Sequence, residues 1–216
     1  MNPNNRIARI AGILYFIYII LFASSTFIPK NLPAQEELFR LSGAMELIST
    51  VFFLLAAWAL YVLLRPVDKN LALLFLLLNM AGVVVEGVCV LIHSSALLVV
   101  HGGEYLKNFT NEQLHAFSSL LLSVNGSVVL VLFYGLWLFP LGSLVYKSGF
   151  LPKILGILLI ADGVALLICF TQLWFFPGYE TMTYPLYPIM LIAELGLSLW
   201  LIIKGVSNQP APEARP

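Results

Sequence analysis

Long apolar runs separated by short polar segments recur along this chain from end to end. Six runs, at about residues 8–28, 41–64, 71–99, 113–146, 152–176 and 185–205, can each cross a hydrocarbon core roughly 30 Å thick as a helix. A membrane-spanning barrel would instead show short strands of alternating polarity, which this pattern lacks. The pattern therefore predicts an all-α membrane protein, a six-transmembrane-helix bundle that forms a single domain over residues 1–205.

Composition supports this class and excludes several others. Of 216 residues, 60% are hydrophobic and 10% are charged, and the mean hydropathy is +0.94, whereas soluble domains carry about 25% charged residues. Eleven basic and eleven acidic residues cancel, so no basic surface for nucleic acid is expected. No cofactor motif occurs, and no cofactor is predicted. Residues 206–216 are polar and proline-rich, which predicts a disordered cytoplasmic tail.

The basic residues indicate how the helices are oriented. Eight fall on one side of the predicted membrane and three on the other, and the lipid bilayer is the expected environment. The larger group is Arg6, Arg9, Arg65, Lys69, Lys147, Lys153, Lys204 and Arg215, and the smaller is Lys30, Arg40 and Lys107. Positive charge concentrates on the cytoplasmic side, so both termini are predicted to be cytoplasmic, in a multi-pass protein of a bacterial cytoplasmic (inner) membrane.

Local signals mark the ends of several spans. Thr110-Asn111-Glu112-Gln113 has the form of a capping box and predicts the start of the fourth span. Pro140 should kink that span because proline lacks an amide donor. Similar openings of the first and fifth spans, and similar basic endings of the second, fourth and sixth, suggest three tandem helical hairpins. Any apolar span needs a basic stop, so such endings also arise without repetition.

Three segments carry a resemblance to a known family. They are PLGSLVYKSGFLPKILGILL at residues 140–159, RIAGILY at 9–15 and LYVLLRPVDKNLALL at 60–74. Over residues 6–205 the chain resembles the bacterial membrane family catalogued as domain of unknown function 4386. The resemblance implies a multi-pass inner-membrane protein and transfers no catalytic residue.

Acidic residues inside the spans are the most informative chemical feature. All basic residues lie in loops, tails or span ends, but Glu46, Glu86, Asp162 and Glu194 fall within the apolar runs. An acid near the centre of a lipid-embedded helix costs roughly 2.5–3.5 kcal/mol, and more if it stays ionised without a partner. Protonation, a bound cation, a water-filled cavity or access to the interface must compensate for that cost.

Counting from the basic span ends at about 1.5 Å per residue separates the polar residues into two layers. Asn79, Asp162 and Glu194 fall near the midplane, and Glu46, Glu86 and Asn125 fall in the outer half. Asn79, Glu86 and His93 recur every seven residues and form one stripe that should face protein. We expect an outward-facing polar cavity, formed mainly by the third and fourth spans. The candidate ligand- or ion-binding residues are Asn79, Glu86, His93, Asn125, Asp162 and Glu194.

Three functions are compatible with this pattern. The first is binding of a small-molecule, lipid or cation ligand, including proton- or cation-linked transport, with Asp162 and Glu194 sharing a proton or holding a cation. The second is a metal-dependent membrane-embedded enzyme acting on lipid, with Glu86 and His93 as ligands. Three scattered histidines without a paired spacing argue against that enzyme. The third is a non-catalytic membrane helper in which polar seams specify packing.

Overall fold

The computed structural model describes residues 3–28, 36–123 and 127–207. These residues form eight α-helices: α1 (Pro3–Phe27), α2 (Glu36–Leu64), α3 (Lys69–His101), α4 (Asn111–Ser123), α5 (Ser127–Leu136), α6 (Leu138–Lys147), α7 (Lys153–Phe175) and α8 (Tyr187–Ile203). Short 3-10 turns cover Glu104–Leu106, Glu180–Met182 and Tyr184–Leu186. No strand occurs within these ranges.

Six helical segments are long and apolar enough to cross a membrane, as the sequence predicts. They are α1, α2, α3, the segment Asn111–Lys147 that contains α4 to α6, α7, and the segment Glu180–Ile203 that ends with α8. Consecutive spans pack against one another, and α8 also packs against α1. The protein is therefore an all-α bundle of six candidate transmembrane spans.

Both ends of the described chain meet at one end of the bundle. The backbone N–H of Val206 donates to Oδ1 of Asn5 at 3.2 Å. The next amide, that of Ser207, donates to the carbonyl oxygen of Phe150 in the α6–α7 connection. The two termini and this connection therefore share one side, as an even number of spans requires. The remainder of the predicted tail, residues 208–216, lies outside the described residues.

Side chains cap two of the helices. The amide of Gln113 donates to Oγ1 of Thr110 at 3.3 Å, and the amide of Thr110 donates to Oε1 of Gln113 at 2.9 Å, which confirms the capping box. Asp68 caps α3 by accepting a hydrogen bond from the amide of Leu71 at 3.0 Å. Both caps satisfy amides that the first helical turn leaves without partners.

Pro140 interrupts the fourth span where the sequence predicts a kink. Helix α5 ends at Leu136 and α6 begins at Leu138, with Trp137 in a turn between them. Proline has no N–H to donate to the carbonyl oxygen four residues earlier, that of Leu136. The interruption places Trp137 in the bundle centre, where its side chain is 1% exposed.

Glycines hold α7 close to α5 and α6. A β-carbon on Gly156 would lie 2.6 Å from the carbonyl oxygen of Gly142, and one on Gly163 would lie 3.0 Å from that of Gly135. Gly156 and Gly163 are seven residues apart on α7, and Gly135 and Gly142 are seven residues apart along the α5–α6 segment. The two contacts therefore repeat along one interface. Helices approach this closely only where side chains are minimal.

Replacing Gly156 by alanine tests this interface. The added methyl group would meet backbone atoms of α6, so we expect a lower unfolding temperature in detergent and a loss of about 1–3 kcal/mol of stability. Gly43→Ala is the matched control because a β-carbon there meets no atom within 4 Å, and alanine favours a helix over glycine. Equal unfolding temperatures for the two variants would contradict the close packing.

Candidate functional site

Aromatic side chains from several spans fill the middle of the bundle. The ring of Phe53 on α2 stacks on Tyr18 with centroids 4.2 Å apart and packs edge-on against Trp137 at 5.0 Å. Tyr15 lies one turn before Tyr18 on α1, with ring centroids 6.0 Å apart, and also meets the edge of Trp137. This aromatic cluster fixes the positions of two tyrosine hydroxyl groups deep inside the protein.

Two carboxyl groups lie beside this cluster. Asp162 on α7 is fully buried, and neither of its carboxyl oxygens has a hydrogen-bond partner in the part of the chain that the structure describes. It lies close enough to Glu194 on α8 for the two groups to interact electrostatically. Glu194 is half-buried. We call these two residues the inner acid pair, and the structure places them near one another.

Tyr15 faces the inner acid pair from α1. Its hydroxyl group is buried and points towards Glu194, without a hydrogen bond of ordinary distance and angle. The close approach of α1 to α8 explains this placement, since a β-carbon on Gly12 would lie 2.8 Å from the carbonyl oxygen of Ser198. The two helices are antiparallel. Tyr15 lies one turn after Gly12 on α1, and Glu194 lies one turn before Ser198 on α8, so these two side chains face each other.

Glu86 forms a second acidic position nearer the other end of the bundle. The hydroxyl of Tyr134 on α5 donates to Oε2 of Glu86 at 2.7 Å. Thr50 lies beside Glu86 but donates its own proton to the carbonyl oxygen of Glu46 at 2.8 Å. Oε1 of Glu86 therefore has no partner. The Glu46 and Glu86 carboxyl groups are within electrostatic reach of one another.

Asn79 is buried at the level of the aromatic cluster. It lies one turn after Phe75, whose ring packs on Trp137 with centroids 5.5 Å apart. Both polar atoms of the Asn79 amide, and the indole N–H of Trp137, have no hydrogen-bond partner among the residues described. Buried polar groups without partners are rare in native proteins and call for an explanation.

His93, the third member of the predicted stripe, lines a different space. It is half-buried and borders a cavity of about 530 Å³ between α2 and α3. This cavity, which we call the outer cavity, is also lined by Glu46 and by Arg40 and His101 near its mouth. It lies between the second and third spans, whereas the sequence places a cavity mainly between the third and fourth.

The third and fourth spans instead form a packed seam. The buried hydroxyl of Ser118 on α4 donates to the carbonyl oxygen of Ala96 on α3 at 3.4 Å. Asn125, the other candidate from this region, lies outside the described residues.

No positive side chain enters the interior of the described part of the chain. Each lysine and arginine in the ranges 3–28, 36–123 and 127–207 is exposed. Arg40 pairs with Glu36 on the surface, with Nε and Oε1 2.7 Å apart. The buried carboxyl groups therefore have tyrosines, threonine and other carboxyl groups as neighbours.

Within the described ranges, no three histidine, cysteine, aspartate or glutamate side chains converge in a group that could hold a metal ion. The combination of Glu86, His93 and a further carboxylate that the sequence suggests as a metal site is not formed there. Glu86 instead accepts from Tyr134, and His93 borders the outer cavity.

Comparison with known proteins adds a family to this geometry. A family model described as "Domain of unknown function (DUF4386)" matches residues 10–205. The chain belongs to this DUF4386 family. A relative from Archaeoglobus fulgidus, described as an uncharacterized protein, is 36% identical over 149 residues, covering 69% of this chain and 74% of its own. No solved structure matches the chain. The DUF4386 match spans every element that positions the two acidic layers.

The hydrophobic and polar pattern of this DUF4386 chain did not predict the tyrosines that lie beside its buried acids. Tyr15, Tyr18 and Tyr134 lie well inside their spans, away from the interfacial positions where tyrosine usually anchors a membrane helix. A tyrosine hydroxyl deep in an apolar helix needs a polar partner. That requirement is a signal within the sequence that points to intramembrane acids such as Glu86.

Replacing Tyr134 by phenylalanine should destabilise the protein by about 1–3 kcal/mol, because Glu86 would lose its donor inside the bundle. Unfolding in mixed micelles measures the change. Tyr105→Phe is the control, since Tyr105 is 97% exposed and loses only a solvated hydroxyl. If the two variants unfold alike, the Tyr134–Glu86 bond contributes nothing to stability.

Proposed function

We propose that this protein binds a proton at the inner acid pair and links it to the binding or transport of a small ligand in the outer cavity. The carrying observation is Asp162, a fully buried carboxyl group with no hydrogen-bond partner and a second carboxyl group beside it. An ionised carboxylate in that position would be strongly unfavourable. A bound proton neutralises the Asp162 carboxylate, so no cation or basic side chain is needed beside it.

A shared proton fits the pair better than two independent acids. Two neighbouring carboxyl groups repel each other when both are ionised, so their protons come off in coupled steps. Tyr15 faces the pair and can donate its hydroxyl to Glu194 when that carboxyl group has lost its proton. The charged or titratable groups that face the pair are Tyr15, Tyr18 and Cys169.

The outer cavity supplies the ligand site of this proposal. Its volume of about 530 Å³ falls within the range of small-molecule sites, which is roughly 300–1,000 Å³. Glu46 and His93 border it within largely apolar walls that include Phe39 and Leu98. An acid and a histidine in such walls favour a ligand with a cationic or hydrogen-bond-donating group and an apolar body, such as a small amphipathic molecule.

Infrared difference spectroscopy tests the bound proton. In the purified protein, the carbonyl stretch of a protonated carboxylic acid should be present at neutral pH and disappear as the pH rises. Asp162→Asn should remove or shift this band because one member of the pair is then neutral at every pH. Glu112→Gln is the control, since Glu112 is exposed at the start of α4. Absence of the band from the wild-type protein, or its persistence unchanged in both Asp162→Asn and Glu194→Gln, would refute the proposal.

We also propose that the bundle lies in the cytoplasmic membrane with both termini in the cytoplasm. The support is the charge distribution: Arg65, Lys69 and Lys153 lie at the same end as the joined termini, and positive charge favours the cytoplasmic side. The outer cavity then opens towards the outside, because α2 and α3 meet there at the opposite end of the bundle.

Cysteine labelling in whole cells tests this orientation. In a background with Cys89→Ala and Cys169→Ala, a Tyr105→Cys variant should react with a membrane-impermeant maleimide added outside. A Ser207→Cys variant should react only after the cells are permeabilised, because Ser207 lies at the end of the termini. The reverse labelling pattern would overturn the orientation.

A further inference from the structure

We propose that Tyr18 and Tyr134 form a proton path that connects the inner acid pair with Glu86 and, through it, with the outer cavity. This inference rests on the proposed function, because it assumes that the inner acid pair holds a proton. The two tyrosines, from α1 and α5, stand between the inner acid pair and Glu86, which lies on α3. The path thus crosses the middle of the bundle.

The outer half of the path is the hydrogen bond between Tyr134 and Glu86. The hydroxyl oxygen of Tyr134 lies 2.7 Å from Oε2 of Glu86, which is typical of a strong O–H donor to a carboxylate. The tyrosine is held in place because its ring packs edge-on against Phe53 at 5.4 Å. A β-carbon on Gly82 would lie 3.3 Å from the Tyr134 ring, so the absence of a side chain at Gly82 makes room for it.

Tyr18 is the junction between the two layers. Its hydroxyl lies within hydrogen-bonding reach of the Tyr134 hydroxyl, and it interacts electrostatically with both Glu194 and Glu86. Stacking on Phe53 fixes its ring. Because Tyr134 donates its proton to Glu86, its oxygen is free to accept the proton of Tyr18.

Proton transfer along this path needs no charged tyrosine. When Glu194 gives its proton to the oxygen of Tyr18, the Tyr18 proton passes to Tyr134 and the Tyr134 proton passes to Glu86. Glu194 ends as a carboxylate, Glu86 ends as a carboxylic acid, and both tyrosines remain neutral with their hydroxyl groups reoriented. This step requires the Glu194 carboxyl group, which interacts electrostatically with Tyr18, to turn towards the Tyr18 hydroxyl. The Glu194 side chain is half-buried and has three rotatable torsions.

The path continues from Glu86 to the outer cavity. The relayed proton arrives on Oε2 of Glu86, the oxygen that accepts from Tyr134. Rotation of the protonated carboxyl group then carries the proton to the side of Oε1, which has no hydrogen-bond partner among the described residues, and from there it can be passed on. The Glu46 carboxyl group is within electrostatic reach of Glu86 and also borders the cavity. The titratable groups that face the path are Asp162, Glu194, Tyr15, Tyr18, Tyr134, Glu86, Glu46 and Cys89.

Time-resolved infrared spectroscopy after a rapid rise in pH tests this path. The readout is the rate at which the carboxylic acid band assigned to Asp162 and Glu194 disappears. Tyr18→Phe and Tyr134→Phe should slow this rate by about a hundredfold, which is the usual contribution of a positioned proton donor and acceptor. The final size of the change should stay as in the wild type, because the inner acid pair itself is intact. A purely structural tyrosine would alter stability but not this rate.

Two further variants keep the test decisive. Tyr61→Phe is the matched control, since Tyr61 is a half-buried tyrosine on α2 that packs on Trp58 at 5.7 Å, outside the path. Glu86→Gln blocks the path while its amide oxygen can still accept from Tyr134, so it decides the outcome if Tyr134→Phe does not fold. Unchanged rates in Tyr18→Phe and Glu86→Gln would refute the path and leave the proposed function standing. Absence of the band from the wild type would refute the proposed function instead.

Discussion

The interior of this protein depends on one constraint: acidic side chains are enclosed among apolar helices, and no lysine or arginine in the described residues lies inside the bundle with them. Asp162 is fully buried and Glu86 is 3% exposed, while every lysine and arginine that the structure describes is exposed. A charge in such surroundings must be neutralised or shared. Tyrosine hydroxyls and neighbouring carboxyl groups are the means that this bundle offers, and they are gathered around Phe53 and Trp137.

Close helix packing makes this arrangement possible. The glycine contacts between α7 and the α5–α6 segment bring backbone against backbone immediately beside Asp162, since Gly163 is its chain neighbour. The contact of Gly12 with α8 does the same for Tyr15 and Glu194. Small residues thus set the distances between helices, and those distances decide which polar groups meet.

The polar interior of this bundle is also costly to keep. Removing a polar group from water without a partner disfavours folding, and well-packed apolar residues in the same positions would avoid that cost. Asn79, Trp137 and Asp162 all carry buried atoms without partners in the described structure. Intramembrane acids of this kind are typical of proton and ion pathways. The proton binding proposed above would join the inner acid pair, the tyrosines and Glu86 into one functional unit.

Several glycines show how far local sequence can predict packing. Gly12, Gly82, Gly126, Gly156, Gly43 and Gly87 look alike in an apolar sequence, and each could permit a close helix contact. In the structure Gly12, Gly82 and Gly156 lie against neighbouring helices, whereas Gly43 and Gly87 meet nothing within 4 Å and Gly126 lies outside the described residues. Gly142 and Gly163 are equally close-packed, and their role becomes visible only when α6 and α7 are placed together.

The sequence by itself determined the six spans, the capping box and the interruption at Pro140, and it predicts two depths for the acids, because these follow from length, local chemistry and helical rise along one chain. Tertiary structure alone decided that Tyr134 meets Glu86, that Tyr15 faces Glu194, and that the outer cavity lies between α2 and α3. Depth in a membrane is a property of one helix. Which side chains become neighbours depends on how the helices rotate and pack against one another. Contacts between glycines that are far apart in the sequence control that packing.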